Sequence, residues 1–305
     1  MGELHIKGKD LLAGFKASAE LSFTELSTDE LLRRLRKALD IGLHGVSFSA
    51  YEGQQTPEAL SQLSEAQVQG RLERIAPYTK WIRTFSCLDG NEHGARLAHQ
   101  HGLKTLVGAW IGEDEARNRK EIEAVIEVAR AGHADLIAVG NEVILRGEME
   151  EARLIEMIEE VRAAVPGVPV GYVDAYFVFV AHPAIAAACD FIPVNCYPFW
   201  EEVPLERSVN YAQEMVRRVQ AAVGDKPVVI AETGWPTAGE ANGPAEPSLR
   251  NMALYLLNIL AWTDDEELPL FWFSAYDEAW KVGPEGDCGA FWGLWDADGG
   301  LKLER

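Results

Sequence analysis

The sequence predicts an α/β protein, a (β/α)8 TIM barrel with an extra N-terminal helix, and three observations carry that expectation. Strand-like and helix-like segments alternate along the chain, the pattern of a parallel sheet. Eight strand-like segments with seven clear helices between them span about 250 residues, the usual size of such a barrel. No GxGxxG or GxxxxGK[ST] loop follows the first strand, where an open doubly wound sheet usually carries its phosphate loop.

The elements are justified in order. Residues 1–42 read as an N-terminal helical extension bracing the barrel, and 43–305 as the barrel itself, so the chain is one domain overall. Ser27-Thr28-Asp29-Glu30 has the form of a capping box opening a helix to about Leu39, expected to plug or brace the barrel's N-terminal end. Strands are expected at 45–49 (GVSFS), 81–85 (WIRTF), 105–109 (TLVGA), 136–139 (LIAV), 168–173, 191–195 (FIPVN), 228–231 (VVIA) and 270–274 (LFWFS). Amphipathic stretches at 121–130, 150–164, 209–223 and 248–262 lie between them. In the first of these, Ile122, Val125, Ile126 and Ala129 recur at helical spacing. Pro166, Pro169 and Pro227 stand just before strands, where a missing N–H costs little.

Composition narrows the function classes. The net charge of −20 argues against nucleic acid or an anionic membrane as partner, because both demand a basic surface. No apolar run approaches the roughly 20 residues of a membrane span. The cysteines Cys87, Cys189, Cys196 and Cys288 form no CxxC pair and sit at no zinc-ligand spacing. The first ten residues lack the apolar core of a signal peptide. Together these point to reduced thiols in a cytoplasmic protein, although a secreted chain shorn of its leader would read the same. His93, His99 and His101 share a surface helix without HExxH pairing, so no metal is expected. No flavin or nicotinamide fingerprint appears, and no cofactor is expected.

Two glutamates sit at strand ends, Glu142 in VGNE and Glu232 in IAETGWP. These are strands four and seven of the pattern, three positions apart on an eight-strand ring. Their side chains would approach the mouth from nearly opposite sides, where strand-end carboxylates read as catalytic. Glycoside hydrolysis needs such a pair flanking one bond.

At this point the chain resembles glycoside hydrolase family 17, the β-1,3-glucanase family. The resemblance rests on GNE at 140–142 and ETGWP at 232–236, with VNCYPFW at 194–200, WIRTFS at 81–86, GVSFSAYEGQQTP at 45–57, YDEAWK at 276–281 and FWGLWD at 291–296. It implies a retaining double displacement on β-1,3-glucan or its oligosaccharides, with Glu232 as nucleophile and Glu142 as acid/base. A transglycosylase using the same covalent intermediate is the alternative. The resemblance further implies that Asn141 binds a sugar 2-hydroxyl, that Tyr197 lies close to the nucleophile, and that Glu278 and Lys281 bind sugar hydroxyls or the acid/base region. Plant members carry a glutamate just before the last FGLF-like segment. This chain has Gly289-Ala290-Phe291-Trp292 there and looks closer to the bacterial branch.

Sugars present flat apolar faces, so their sites use aromatic platforms with a few placed polar groups. Trp235 and Trp292 are the expected platforms because motif glycines and prolines fix their loops, and Tyr51 is a further binding candidate. Trp262 and Trp272 are expected to pack internally. Arg83 alternates with apolar neighbours and would point into the barrel, where a buried arginine needs a carboxylate. Glu232 is its expected partner, through a pair that either orients Glu232 or is purely structural. Asp174, ending strand five, would hydrogen-bond sugar or brace the acid/base. The expected assembly is a monomer, with a glucan or oligosaccharide as substrate and no nucleic acid or membrane partner.

Overall fold

The computed structural model describes residues 21–304. The first twenty residues of the expected extension lie outside that range. Eight parallel strands close into a barrel in sequence order. They are β1 (Leu43–Ser47), β2 (Thr79–Arg83), β3 (Lys104–Ala109), β4 (Leu136–Asn141), β5 (Val170–Ala175), β6 (Ile192–Asn195), β7 (Val228–Thr233) and β8 (Leu270–Trp272). β8 pairs back onto β1 through Gly45 and Phe271 and through Val46 and Trp272. The fold is therefore a (β/α)8 barrel.

Helix α1 (Thr28–Ile41) precedes the barrel. The connections from β1 to β8 carry α2 (Glu65–Ile75), α3 (His93–Gln100), α4 (Glu115–Arg130), α5 (Glu151–Ala164), α6 (Tyr176–Ala181) with α7 (Pro183–Ala188), α8 (Leu205–Val223) and α9 (Leu249–Asp265). After β8 the chain makes a 3-10 turn at Ala279–Lys281 and the short α10 (Val282–Glu285). α1 starts at the capping box read from the sequence. Ser27 accepts from the Glu30 backbone N–H, and the Glu30 side chain accepts from Ser27 N at 2.9 Å. Its Leu31, Leu35 and Leu39 are fully buried. The helix packs beside α9, the turn at Ala76–Tyr78 and the turn at Lys302–Glu304, so it stands in the outer helical ring.

The core has two parts. Leu106, Ala138, Val173, Val229, Ala231 and Phe271 fill the barrel interior, and a larger cluster lies between the strands and the helices. Burial of these side chains is the dominant favourable term in folding. Register irregularities fall between Ala138 and Asn141 on β4, between Val194 and Asn195 on β6, and between Ile230 and Thr233 on β7. Bulges of this kind re-aim side chains at barrel rims. On β7, Ala231 joins the interior cluster while Thr233 reaches outward to Tyr255 of α9, at 2.6 Å between hydroxyls. The shift leaves Glu232 facing the mouth.

Ser27→Ala removes the cap and should lower stability by about 1 kcal/mol, read by denaturant unfolding. Catalytic activity should stay unchanged, because α1 lies on the outer ring.

Candidate active site

β4 ends in Gly140, Asn141 and Glu142. Gly140 has φ +87°, and a Cβ there would meet Val143 Cγ2 at 2.9 Å, so only glycine makes this corner without strain. Glu142 follows with φ +55°, an uncommon conformation for a residue with a side chain. Its backbone N–H donates to Val173 O at 2.8 Å, and its carbonyl accepts from Arg146 N at 2.9 Å. The result is a tight turn at 142–146 that presents Glu142 at the mouth.

Glu232 is 5% exposed and Arg83, from the end of β2, only 1%. Arg83 Nη1 donates to Glu232 Oε1, and Nη2 donates to Asn141 Oδ1 at 2.7 Å. Because Asn141 accepts through its oxygen, it offers its NH2 group to the cleft. Tyr197 donates its hydroxyl to Glu232 Oε2 at 2.6 Å. Burial and the charge of Glu232 push the Tyr197 phenol well above its ordinary range, so it stays a donor. Phe85 lies under the Arg83 guanidinium at 4.5 Å.

Glu142 has different surroundings. Asn195, ending β6, donates to Glu142 Oε1 at 2.8 Å. Burial, and then the negative charge of Glu232, raise the Glu142 carboxyl above its usual range, while Asn195, Arg146 and Arg83 oppose the shift. Two carboxyls in such unlike environments are suited to two different roles.

Glu278 and Lys281 form an ion pair of 2.8 Å beside this centre. Trp280 Nε1 donates to Glu278 Oε1 at 3.2 Å, and Tyr51 meets the Trp280 ring edge to face at 6.4 Å. Burial disfavours the charged Lys281, but the neighbouring Glu278 and Glu285 carboxyls outweigh it and its pKa is raised. Glu285 stands one helical turn after Lys281, and burial pushes it up to about 7. Glu278, Glu232 and Glu142 add to that rise and Lys281 opposes it.

The structure thus gathers Glu232, Asn141, Arg83 and Tyr197 into one hydrogen-bonded group, with Glu142 held beside it by Asn195 and Glu278, Lys281 and Tyr51 on the adjoining wall. Two of the expected platforms are elsewhere. Trp235 has no exposed surface. Its ring packs on Phe199 and Tyr255, and its Nε1 donates to Glu246 O at 2.9 Å. Trp292 is 1% exposed and lies under Tyr197, Phe199, Trp200 and Phe273. Neither can face a sugar, and both instead form an aromatic floor beneath Tyr197. Gly234 closes that floor, since a Cβ there would sit 2.3 Å from Phe273 O. Partly exposed aromatics remain around the mouth in Tyr51, Phe85, Trp110, Tyr197, Trp200 and Trp280.

Asp174 is fully buried and does not reach the cleft, so it does not bind sugar directly. Its Oδ2 accepts from Leu145 N at 3.4 Å, on the turn that carries Glu142. The sequence reading did not single out Asn195, Arg146 or Glu285. Asn195 is a polar strand end, the signal already used for Glu142. Arg146 is fixed by Asn141 O at 2.6 Å and by both oxygens of Glu148 at 2.7 and 2.8 Å, and it covers Trp110 at 4.9 Å.

A family model for the BtgE/BtgC glycoside hydrolase domain matches residues 45–293. The chain belongs to glycoside hydrolase family 17. This family 17 enzyme is 28% identical to a glucan 1,3-β-glucosidase of Schizosaccharomyces pombe over 229 residues, 68% of this chain and 71% of that one. It is 27% identical to the glucan 1,3-β-glucosidase BGL2 of Candida albicans, covering 77% of this chain and 84% of that one. Among solved structures, the family 17 β-1,3-glucanosyltransferase of Rhizomucor miehei superposes with a TM-score of 0.77 at 25% identity, over 86% of this chain and 96% of that one. A β-D-glucuronidase of Dictyoglomus thermophilum shares the fold at TM-score 0.60 and 17% identity, over 85% of this chain and 48% of that one. Among the described residues of the family 17 enzyme, no helix is long and apolar enough to cross a membrane.

Arg83→Met leaves Glu232 buried without its cation. Breaking a buried pair from one side should destabilise the fold by about 3–5 kcal/mol, read by thermal or denaturant unfolding. Arg83→Met combined with Glu232→Gln should recover much of that loss.

Proposed function

We propose that this enzyme acts on β-1,3-linked glucan or gluco-oligosaccharides by double displacement, with Glu232 as nucleophile and Glu142 as acid/base. One observation carries the assignment of roles. Glu232 is held by a guanidinium and a phenol, whereas Glu142 is buried beside the negative charge of Glu232 and so holds its proton more tightly.

In the first step Glu232 attacks the anomeric carbon while the Glu142 proton passes to the departing oxygen. Esterification then removes the charge on Glu232. The neighbouring influence that favoured protonated Glu142 disappears with it, so Glu142 stays ionised and is available as a general base. In the second step Glu142, now a carboxylate, takes a proton from the incoming water or sugar hydroxyl as that oxygen attacks the glycosyl-enzyme. The carboxyl therefore cycles between acid and base without a further group. Asn141, oriented by Arg83, would present its NH2 group to the 2-hydroxyl of the sugar being transferred. Glu278 and Lys281 would bind hydroxyls further along the cleft.

Hydrolysis and transfer share every residue of this scheme. The glucan 1,3-β-glucosidase relatives favour hydrolysis, and the likeness to a β-1,3-glucanosyltransferase supports transfer as the second reading.

Laminari-oligosaccharides incubated with the enzyme, with products resolved by mass spectrometry, should give shorter sugars, and Glu232→Ala should give none. Products longer than the substrate establish transfer. No turnover of β-1,3-linked sugars, with cleavage of another β-glycan, sinks the linkage assignment. The pH profile of kcat/KM should fall on its alkaline side above the ordinary carboxyl range, because activity is lost as Glu142 gives up its proton.

A further inference from the structure

The turn at 142–146 is held from below by two side chains of β5. Ile144 N donates to Tyr172 Oη at 2.9 Å, and Leu145 N donates to Asp174 Oδ2 at 3.4 Å. Tyr172 in turn donates its hydroxyl to the same Asp174 Oδ2, and Ala175 N donates to Asp174 Oδ1 at 2.7 Å. Both side chains have no exposed surface. These contacts satisfy two backbone N–H groups that a tight turn otherwise leaves unpaired, much as an N-cap residue serves the first turn of a helix. They also fix a segment in which a non-glycine residue, Glu142, keeps a left-handed backbone.

Asp174 is a carboxyl, whereas an asparagine would supply the same acceptor for the Leu145 N–H. A buried carboxyl is a costly way to cap a turn, so its acidity calls for an explanation. Four groups face Glu142: the Glu232 carboxyl from β7, the Arg83 guanidinium from β2, the Arg146 guanidinium from its own turn and the Asn195 amide from β6. Tyr197, Tyr172 and Glu285 also lie within electrostatic range. Facing Asp174 are Tyr172, the Leu145 and Ala175 N–H groups, and Glu142 itself.

We propose that Asp174 is a positioning residue for the acid/base. With Tyr172 it clamps the turn that presents Glu142, so that the acid/base keeps its place at the mouth before substrate arrives. This rests on the reading of Glu142 as acid/base. Burial pushes Asp174 up to about 7, with the charge of Glu142 the next contribution, and three hydrogen bonds acting the other way. The charge of Glu142 thus makes Asp174 harder to ionise. Both Asp174 oxygens accept, Oδ2 from Leu145 N and the Tyr172 hydroxyl and Oδ1 from Ala175 N, whereas an asparagine has a single acceptor oxygen.

The test compares Asp174→Asn with wild type on laminari-oligosaccharides and on a dinitrophenyl β-glucoside, whose leaving group needs no proton. Asparagine keeps one acceptor oxygen and replaces the other with a donor. kcat/KM on laminari-oligosaccharides should drop about tenfold or more, while enzyme glycosylation by the dinitrophenyl glucoside stays within about twofold of wild type, with the thermal midpoint reporting that the fold is kept. Equal losses on both substrates, or no loss on either, overturn the proposal.

If Asp174→Asn does not fold, Tyr172→Phe decides. It keeps the carboxyl and removes the acceptor for Ile144 N–H. Turnover of laminari-oligosaccharides should drop about tenfold or more, whereas a dinitrophenyl β-glucoside, whose leaving group needs no proton, should keep the wild-type rate of enzyme glycosylation within about twofold. Equal losses on both substrates overturn the proposal. Glu232→Ala tests the wider reading separately. An inactive Glu232→Ala together with equal losses on both substrates in Asp174→Asn leaves double displacement standing and removes the clamp.

Discussion

A single buried guanidinium ties the mouth of this barrel together. Arg83 leaves β2 and, through two nitrogens, reaches Glu232 on β7 and Asn141 on β4. An arginine taken out of water is tolerable only if its charge is matched. That requirement fixes three strands against one another at their carboxyl ends. It also orients two residues of the proposed reaction site with one side chain, so the demands of stability and of the proposed chemistry fall on the same contact. The planar fork matters here, because a lysine in its place offers a point charge without two fixed directions.

Around this centre the barrel departs from regularity where the chemistry requires it. Register shifts on β4, β6 and β7 bracket Asn141, Asn195 and Glu232. Beneath them lies an aromatic floor of Phe199, Trp235, Phe273 and Trp292, with ring centroids between 5.4 and 5.9 Å in its contacts. A floor of large rings leaves Tyr197 little room to move, so its hydrogen bond to Glu232 is set in advance of substrate. Preorganised donors of this kind need no rearrangement as charge develops.

Much of this was legible in the sequence, and the rest failed for identifiable reasons. The alternation of strand and helix gave the barrel, and the expected strand at 45–49 was displaced by two residues from Leu43–Ser47. The displacement is understandable, because Phe48 N still bonds to Arg83 O at 2.8 Å beyond the regular ladder. Arg83 could be placed inside the barrel because period-two alternation speaks directly to which face a side chain takes. Trp235 and Trp292 could not. Motif glycines and prolines show that a loop is fixed, but whether its ring faces water depends on partners such as Phe199 and Tyr255, which come from distant elements. Asp174 was read as touching either sugar or the acid/base, and its burial decides against the sugar. Glu285 carried no local signal, since its place beside Lys281 depends on a helical segment that forms only in the folded loop.

The acidic residues at the mouth have a further consequence. Arg83 is committed to Glu232 and Lys281 to Glu278, while Glu142 and Glu285 add acidic groups. A uronic acid entering this cleft would bring its own carboxylate into a field of like sign, on a chain whose net charge is already −20. Barrels of the same architecture occur in β-glucuronidases such as that of Dictyoglomus thermophilum. To accept an anionic sugar here, the site would have to supply a new cation or give up one of its carboxyls. Arg83 and Lys281 are thus matched within the site itself, and an anionic sugar would have to compete with Glu232 and Glu278 for them.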